Sequence, residues 1–278
     1  MHLHNVDHLI RIALDEDIGP GDITTEHLVD SDRIGNGMIM AKESLVIAGL
    51  EIAEEVFRNL DANLSFDSAY KDGDFIEAGE SVVRVSGTLK ALLMGERTAL
   101  NFLQRLSGVA THVRSYVNMI GDRNVRLVDT RKTTPGWRAL EKYAVRIGGA
   151  FNHRMGLYDG VLIKDNHISA CGGIKKAISR IRERVSHLVK IEVEVTDLSE
   201  VKAALDAGAD VIMLDNMSVR RIREAVSLID GKALVEISGG VTQENLSLLA
   251  ETGVDLISVG ALTHAARSVD LSMKITAS

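Results

Sequence analysis

The residues able to do chemistry in this sequence recur at one kind of position, directly after or near the end of a short apolar run. The cations Arg131, Lys132 and Lys164 follow the runs RLVDT and GVLI, and the acids Glu194 and Asp215 lie near the ends of KIEVEV and VIMLD. Glycines end the last two runs, ISGG and SVGA. A pocket with a cationic side and an acidic side is predicted wherever these run ends meet.

The cations need an explanation because the chain as a whole is acidic, with a formal net charge of −7. Lys164 finishes an otherwise apolar run, and an ammonium there requires an anionic partner or a lowered pKa. Arg131 and Lys132 stand between an acid and a Thr-Thr-Pro-Gly turn, which favours a ligand-binding loop over solvated surface charge. His153 and Arg154, just before the run of Lys164, extend the basic group.

The two acids suit sugar hydroxyls or a hydrated Mg²⁺, which prefers oxygen ligands. Strand alternation places Glu192 and Glu194 on the same side of their run, and one of the two can be purely structural. We favour Glu194 for the site because it is nearer the carboxyl end. Asp215 has a second interpretation, as the cap of a helix that starts near Ser218.

The glycine segments Ser238-Gly239-Gly240 and Gly260-Ala261 predict a phosphate site. Glycine lets backbone N–H groups approach an oxyanion closely, and barrel enzymes bind phosphate at the loops of their final strands. A tight turn without a ligand is the alternative.

Six apolar runs from residue 125 onward alternate with amphipathic helical segments, as a parallel sheet covered by helices requires. We therefore predict an incomplete (β/α) TIM-like barrel, whose strand carboxyl ends converge on one face and bring distant residues into a single pocket. A doubly wound open sheet is the competitor. It is disfavoured because no G-x-G-x-x-G follows a strand and functional residues end nearly every run.

The first third of the chain mixes strand and helix patterns and predicts an α+β sandwich domain. KDGDFIEAGESVVRVSG alternates between glycines and indicates a hairpin, and the long helical pattern after it is expected to break at Ser107-Gly108. The predicted domains are an N-terminal α+β domain over residues 1–108, an α/β barrel over residues 109–265, and a tail, residues 266–278, that packs back on the first domain.

Composition excludes some classes of partner. The negative net charge disfavours nucleic acid and anionic membranes, and no run approaches the ~20 apolar residues that span a bilayer. The one cysteine, Cys171, cannot form an internal disulfide, which favours a cytoplasmic location.

Several motifs occur together in a known order: ERTALNFLQRLSGVAT, DTRKTTPG, HRMGLYDGVLIKDNHI, EVEV, MLDN, ISGG and VGALTH. With them the chain resembles the quinolinate phosphoribosyltransferase family, from EDIGPGDITTE to VGALTHAARSVDLSMKI. The resemblance implies a pentosyltransferase that converts quinolinate and 5-phosphoribosyl 1-pyrophosphate to nicotinate mononucleotide, pyrophosphate and CO₂ with Mg²⁺, in de novo NAD biosynthesis. It also implies a homodimer, with a trimer of dimers as a larger alternative.

The resemblance assigns roles to residues that match the family's motifs. Lys132, Glu194 and Asp215 are implied as catalytic, and Glu194 and Asp215 as the Mg²⁺ site, partly through substrate and water. Arg97 is implied to reach the neighbouring subunit's site. The implied substrate-binding set is Arg97, Thr130, Arg131, Lys132, His153, Arg154, Lys164, Glu194, Asp215, Ser238, Gly239, Gly240, Gly260, Ala261 and Leu262.

Two other activities fit parts of the pattern. Lys132 or Lys164 could be the Schiff-base lysine of a barrel aldolase, although the cations crowded beside them disfavour this. The chain could also be a paralogous phosphoribosyltransferase acting on another base, but Arg131, Arg154 and Lys164 together favour a dicarboxylate acceptor.

Overall fold

The computed structural model describes residues 4–277, which form two compact units. The first comprises residues 4–114, 134–149 and 266–277, and the second comprises residues 115–133 and 150–265. The segment 134–149, which the sequence rhythm assigned to the barrel, thus groups with the first unit.

The elements follow one another along the chain in this order: α1 (His4–Ile18), α2 (Ile23–Leu28), β1 (Ile34–Ala41), β2 (Leu45–Val46), α3 (Leu50–Arg58), β3 (Ser65–Asp67), β4 (Phe75–Ile76), β5 (Ser81–Thr88), α4 (Leu89–Ile120), β6 (Arg126–Val128), α5 (Arg138–Gly148), β7 (Val161–Ile163), α6 (Asp165–Cys171), α7 (Ile174–Arg182), β8 (Ile191–Val195), α8 (Leu198–Asp206), β9 (Val211–Asp215), α9 (Val219–Ile229), β10 (Leu234–Ser238), α10 (Gln243–Ala250), β11 (Leu256–Ser258), α11 (Ala261–His264) and β12 (Leu271–Ala277).

The first unit is built on a four-stranded antiparallel sheet in the order β12-β1-β5-β3, so the C-terminal strand β12 pairs with β1. Strands β2 and β4 form a separate pair. The predicted hairpin of β4 with β5 is therefore wrong, because these consecutive strands pair with different partners. Alternation and glycines marked the strands correctly but did not specify pairing.

Helix α4 runs without a break through Ser107-Gly108, contrary to the prediction of two helices. Ser107 does not end the helix. Its Oγ accepts a hydrogen bond from the Ala48 N–H at 3.0 Å. Gly108 permits a close approach: a Cβ there would lie 2.1 Å from the Arg267 carbonyl oxygen. The Ser-Gly pair is a packing contact of the first unit.

A buried ionic group holds α5 within the first unit. The Glu141 side chain is fully buried and accepts hydrogen bonds from Arg105 Nη2 at 2.5 Å and from the Thr134 N–H at 3.0 Å. The Thr134 hydroxyl adds a third bond at 2.9 Å. A buried carboxylate with this many donors is compensated for its lost hydration. The Thr-Thr-Pro-Gly turn is therefore anchored at its second threonine.

The second unit contains a six-stranded parallel sheet in the order β6-β11-β10-β9-β8-β7, with helices between successive strands. The predicted parallel α/β architecture is confirmed. Side chains such as Val193, Ile212 and Ile237 on its strands are buried. Beside β6, Phe151 forms a single parallel bridge with Val128, where a further barrel strand would lie. None of the helices described is long and apolar enough to cross a membrane.

Candidate active site

Parallel pairing places the carboxyl ends of the six strands side by side. Around the sheet from β6 to β7, the ends carry in turn the cations of the β6 loop, the glycines of β11 and β10, the acids of β9 and β8, and the lysine after β7. Adjacent strands lie about 5 Å apart, so neighbouring ends are within reach of one small ligand. The residues of this ring are Arg131, Lys132, Gly260, Ser238, Asp215, Glu194 and Lys164.

Lys164 and Glu194 contact each other at the ends of β7 and β8. The Lys164 Nζ donates a short hydrogen bond to Glu194 Oε2. The lysine side chain is 45% exposed and the glutamate 15% exposed, so the pair stands at the mouth of the sheet rather than deep in it. The anionic partner expected for Lys164 is therefore a carboxylate of this chain.

Asp215 is held by its neighbour Asn216. The Asn216 Nδ2 donates to Asp215 Oδ2 at 2.9 Å, and the Asn216 N–H donates to the Ser238 carbonyl at 2.9 Å. Asn216 has a φ of +52°, a left-handed conformation that few residues except glycine and asparagine adopt readily. The helix-cap interpretation of Asp215 is wrong, because Ser218 is the N-cap of α9.

Gly239 is required by that asparagine. Its φ is +84°, and a Cβ at this position would lie 2.3 Å from the Asn216 Oδ1. A side chain here would clash with Asn216 and disturb the Asp215 carboxylate. The glycine of ISGG thus has a structural cause besides any phosphate ligand.

Lys132 lies against the glycine after β11. A Cβ on Gly260 would come within 2.8 Å of the Lys132 Cδ, and the Thr263 hydroxyl donates to the Lys132 carbonyl at 2.6 Å. The Lys132 N–H in turn donates to the Thr130 hydroxyl at 3.0 Å. Gly260 and Thr130 therefore both help to set the path of the lysine.

Arg131 and Arg154 act on each other as like charges. Burial first, and then repulsion from Arg131, lowers the pKa of Arg154, while Glu192 opposes the shift. The Arg131 Nε is buried with no hydrogen-bond partner among the described residues, and Arg154 Nη1 donates to the Gly160 carbonyl at 2.9 Å. Two partly desolvated guanidiniums near each other favour an anion between them.

Asp129 fixes the segment that carries His153 and Arg154. Its side chain is fully buried and accepts from the Asn152 Nδ2 at 2.7 Å and the His153 N–H at 2.8 Å. The bonds tie this segment to the end of β6.

Sequence reasoning missed several residues of this region, namely Asp129, Asn152, Asn216, Glu236 and Thr263. Asp129 and Asn216 directly adjoin predicted site residues, in DTRK and MLDN, and this adjacency was the available signal. Asn152, Glu236 and Thr263 matter through contacts between distant segments, which no local pattern reveals.

The remaining predicted residues lie on both units. Ser238 ends β10, and Ala261 and the buried Leu262 begin the four-residue α11. The Gly240 carbonyl accepts from the Asn245 Nδ2 at 2.8 Å. Arg97 is an exposed residue of α4 in the first unit.

The acidic pair offers the donors that Mg²⁺ prefers. Glu194 and Asp215 present carboxylate oxygens at neighbouring strand ends, and both side chains are only partly buried. The donor set fits a hydrated Mg²⁺ bound partly through water and substrate.

Comparisons with known proteins cover nearly the whole chain. Residues 22–107 match the family model of the quinolinate phosphoribosyl transferase N-terminal domain, and residues 109–274 match that of the C-terminal domain. A probable nicotinate-nucleotide pyrophosphorylase [carboxylating] of Bacillus subtilis is 46% identical over 95% of this chain and 91% of its own length. The chloroplastic nicotinate-nucleotide pyrophosphorylase [carboxylating] of Arabidopsis thaliana is 39% identical over 96% of this chain and 82% of its own.

Solved structures show the same likeness. The crystal structure of NadC from Streptococcus pyogenes is 41% identical and superposes with a TM-score of 0.97, covering 100% of this chain and 99% of that one. The nicotinate-nucleotide pyrophosphorylase structure from Francisella tularensis is 41% identical, with a TM-score of 0.95 over 99% of this chain and 98% of that one.

Proposed function

The chain belongs to the quinolinate phosphoribosyltransferase family, and from this premise we propose how the strand ends of its second unit perform the reaction. The enzyme transfers the phosphoribosyl group of 5-phosphoribosyl 1-pyrophosphate to quinolinate with decarboxylation, giving nicotinate mononucleotide, pyrophosphate and CO₂. This is a step of de novo NAD biosynthesis.

The observation that carries the assignment of residues is the order of charges around the strand ends. Arg131, Arg154 and Lys164 bind the two carboxylates of quinolinate. The buried Arg131 Nε has no hydrogen-bond partner within residues 4–277, and Arg131 is close enough to Arg154 to add to the effect of burial in lowering the pKa of Arg154. Bidentate guanidinium pairing fixes the orientation of a planar dicarboxylate. His153 supports this side through the backbone of Arg154.

The sugar and its phosphates occupy the other part of the ring. Glu194 and Asp215 accept hydrogen bonds from the ribose hydroxyls and would hold hydrated Mg²⁺, and Lys132 faces the pyrophosphate. The 5-phosphate lies at the loops of β10 and β11, against backbone N–H groups. The residues of that phosphate site are Ser238, Gly239, Gly240, Gly260, Ala261 and Leu262, and Thr130 supports Lys132.

The chemistry needs little proton transfer from the protein. The pyridine nitrogen attacks C1 of the ribose and the bond to pyrophosphate breaks, so Lys132 and the partner subunit's Arg97 stabilise negative charge on the leaving group. Mg²⁺, when bound, supplies further charge neutralisation there. Each preorganised contact of this kind contributes ~3 kcal/mol, roughly a hundredfold in rate.

Decarboxylation then uses the ring itself. Once alkylated, the ring nitrogen is cationic and stabilises the electron pair that stays on the adjacent ring carbon when the carboxylate there departs as CO₂. That carbon then takes up a proton from water, which replaces the broken bond by a C–H bond. No organic cofactor is required for this step. The contact of Lys164 with Glu194 also disfavours a Schiff-base aldolase that uses this lysine, because the nitrogen that would attack a carbonyl carbon is held by a carboxylate instead.

We also propose a cytoplasmic homodimer in which Arg97 enters the neighbouring subunit's site. Support comes from its exposed guanidinium, which lies on α4 outside the unit that carries the other site residues. Mixing Arg97→Ala subunits with subunits that carry Lys132→Ala tests this: hybrid dimers should regain one working site, whereas each variant alone should be inactive. No recovery on mixing would contradict the shared site.

The reaction itself is tested with two acceptors. The protein is incubated with 5-phosphoribosyl 1-pyrophosphate, Mg²⁺ and either quinolinate or nicotinate, and CO₂ and mononucleotide are measured. Product and CO₂ in equal amounts from quinolinate alone are expected. Product from nicotinate but not from quinolinate would indicate a paralogue for another base, and turnover that depends on an added organic cofactor would contradict the electron-sink role of the ring.

A further inference from the structure

The hydrogen bonds of His153 select one form of its ring. Its Nδ1 lies 2.8 Å from the Arg154 backbone nitrogen, whose N–H can only donate, so Nδ1 is the acceptor. The proton of a neutral ring is then on Nε2, which lies 3.0 Å from Glu192 Oε2. Both ring nitrogens therefore form hydrogen bonds within the chain: Nδ1 accepts from the Arg154 N–H, and Nε2 donates to Glu192.

Glu192 lies in the interior of the sheet, two residues before Glu194 and on the same face of β8. Its side chain is 10% exposed, and the nearby Glu236 side chain on β10 is 2% exposed. The Glu236 Oε2 is 3.8 Å from the histidine Nε2, beyond hydrogen-bond distance. Glu192 is thus the carboxylate that holds the ring.

Glu236 lies beside the contact between His153 and Glu192 and is itself largely uncharged. Burial, and then repulsion from Glu192, raises the pKa of Glu236 to about 8, so its carboxyl group is largely protonated at neutral pH. Glu192, His153, Arg154 and Glu236 all line a cavity of about 630 Å³ in the second unit. A hydrogen bond that is shielded from water, as this one is by the 10% exposure of Glu192, is stronger than the same bond in solvent.

We propose that Glu192 is a positioning residue for quinolinate: it fixes the His153 ring with Nδ1 turned to the Arg154 N–H, and so holds Arg154 where it binds the substrate's carboxylate. This rests on the proposed function of Arg154. Glu192 itself touches neither substrate nor reacting atoms. Its effect on Arg154 passes through the two hydrogen bonds of the His153 ring. A free histidine ring can take several orientations, and these two bonds leave only one.

Removal of the Glu192 carboxylate should weaken the binding of only one of the two substrates. In a Glu192→Leu variant the buried Nε2–H of His153 loses its partner, and such a donor is costly to leave unsatisfied. The ring then turns toward another acceptor and releases the Arg154 N–H. We expect the dissociation constant of quinolinate to rise tenfold or more, while that of Mg²⁺-loaded 5-phosphoribosyl 1-pyrophosphate changes less than twofold.

The experiment compares three variants with the wild type. Glu192→Leu removes the acceptor, Glu192→Gln keeps an oxygen that can accept from Nε2–H, and Glu224→Leu makes the same change on the exposed face of α9. Quinolinate binding should return to within about threefold of wild type in Glu192→Gln and be unchanged in Glu224→Leu. Circular dichroism and melting temperature establish that each variant is folded.

A second measurement reads the ring directly. Nitrogen-15 spectra of histidine-labelled protein distinguish protonated from unprotonated ring nitrogens, and the His153 signal is identified by its loss in His153→Asn. We expect an unprotonated Nδ1 and a protonated Nε2 in the wild type, and a mixture in Glu192→Leu. This readout needs no catalysis, so it tests the proposal even if the wild type fails to turn over quinolinate, a failure that would instead overturn the proposed function.

Three results would overturn the inference. One is a wild-type ring protonated on Nδ1, and another is an equal loss of affinity for both substrates in folded Glu192→Leu. The third is binding of a metal ion by His153, Glu192 and Glu236, whose donor atoms lie within 4.8 Å of one another. One equivalent of Zn²⁺ or Mn²⁺ retained by wild type after dialysis and lost in Glu236→Gln would make the cluster a metal site instead.

Discussion

At the residue scale, Arg131 is a cation for which the described part of the chain provides no hydrogen-bond acceptor at its buried Nε. Arg131→Ala should therefore break no stabilising contact there. We expect kcat/KM for quinolinate to fall roughly a hundredfold or more, as loss of one preorganised electrostatic contact of ~3 kcal/mol implies. Steady-state kinetics with quinolinate as the varied substrate measures this.

The matched control is Arg180→Ala, which removes an exposed cation from α7. It should leave both kinetics and melting temperature unchanged. The melting temperature of Arg131→Ala should also stay within about 2 °C of wild type. A large drop would instead show that Arg131 supports the fold.

Residue types also explain how much of the site could be predicted. Arg131, Lys164, Glu194 and Asp215 were found because a charge at the end of an apolar run violates a simple pattern. Asn216 violates none, since its importance depends on a left-handed backbone and on contact with Gly239 from the next strand. Such residues become visible only when neighbouring strands are placed side by side.

At the element scale, the packing of α4 against the segment at Arg267 and Ser268 depends on Gly108. A Cβ at this position would lie 2.1 Å from the Arg267 carbonyl oxygen and 2.9 Å from the Ser268 Cα, so backbone atoms would have to move. We expect Gly108→Ala to lower the free energy of unfolding by about 1–3 kcal/mol, even though alanine is the better helix former. Urea unfolding followed by circular dichroism measures the change.

Asn101→Ala serves as the control within the same helix, because Asn101 is exposed. There the higher helix propensity of alanine acts alone and should leave stability equal or slightly increased. If Gly108→Ala were also stabilising, the close approach to the C-terminal segment would not constrain the helix.

The same helix shows where element prediction reaches its limit. Periodicity located its apolar face, and the Ser-Gly pair was interpreted as a break because both residues are weak helix formers. In the folded unit, Ser107 bonds to Ala48 and Gly108 admits a neighbouring backbone, and tertiary contacts thereby outweigh local propensity. The hairpin error has the same origin, since pairing of β4 with β2 is a long-range choice.

At the scale of the whole molecule, the parallel sheet is what converts scattered run ends into one site. The sequence pattern contained this architecture because both faces of a barrel strand are covered, which makes its runs continuously apolar. Interior acids interrupt the rule. Glu192 and Glu236 occupy the layer beneath the strand ends, where a fold optimised for stability would place apolar side chains.

That interior layer makes global stability depend on pH. The pKa of Glu236 rises from 4.5 to about 8 on folding, through burial and then repulsion from Glu192, so between these values the folded chain binds a proton that the unfolded chain has lost. The stabilising effect is complete below about pH 4.5 and disappears as the pH rises through about 8. The free energy of unfolding should therefore decrease across this window, by at most about 1.4 kcal/mol per pH unit.

Glu236→Gln isolates this contribution, because the amide is neutral at every pH and has nearly the shape of the protonated acid. Urea unfolding at pH 6 and pH 8 should show a smaller loss of stability in the variant than in wild type, with its advantage greatest at pH 8. Glu224→Gln, on the exposed face of α9, should follow the wild-type slope. Parallel slopes for wild type and Glu236→Gln would mean that Glu236 is ionised in the folded protein, balanced by positive charge on His153.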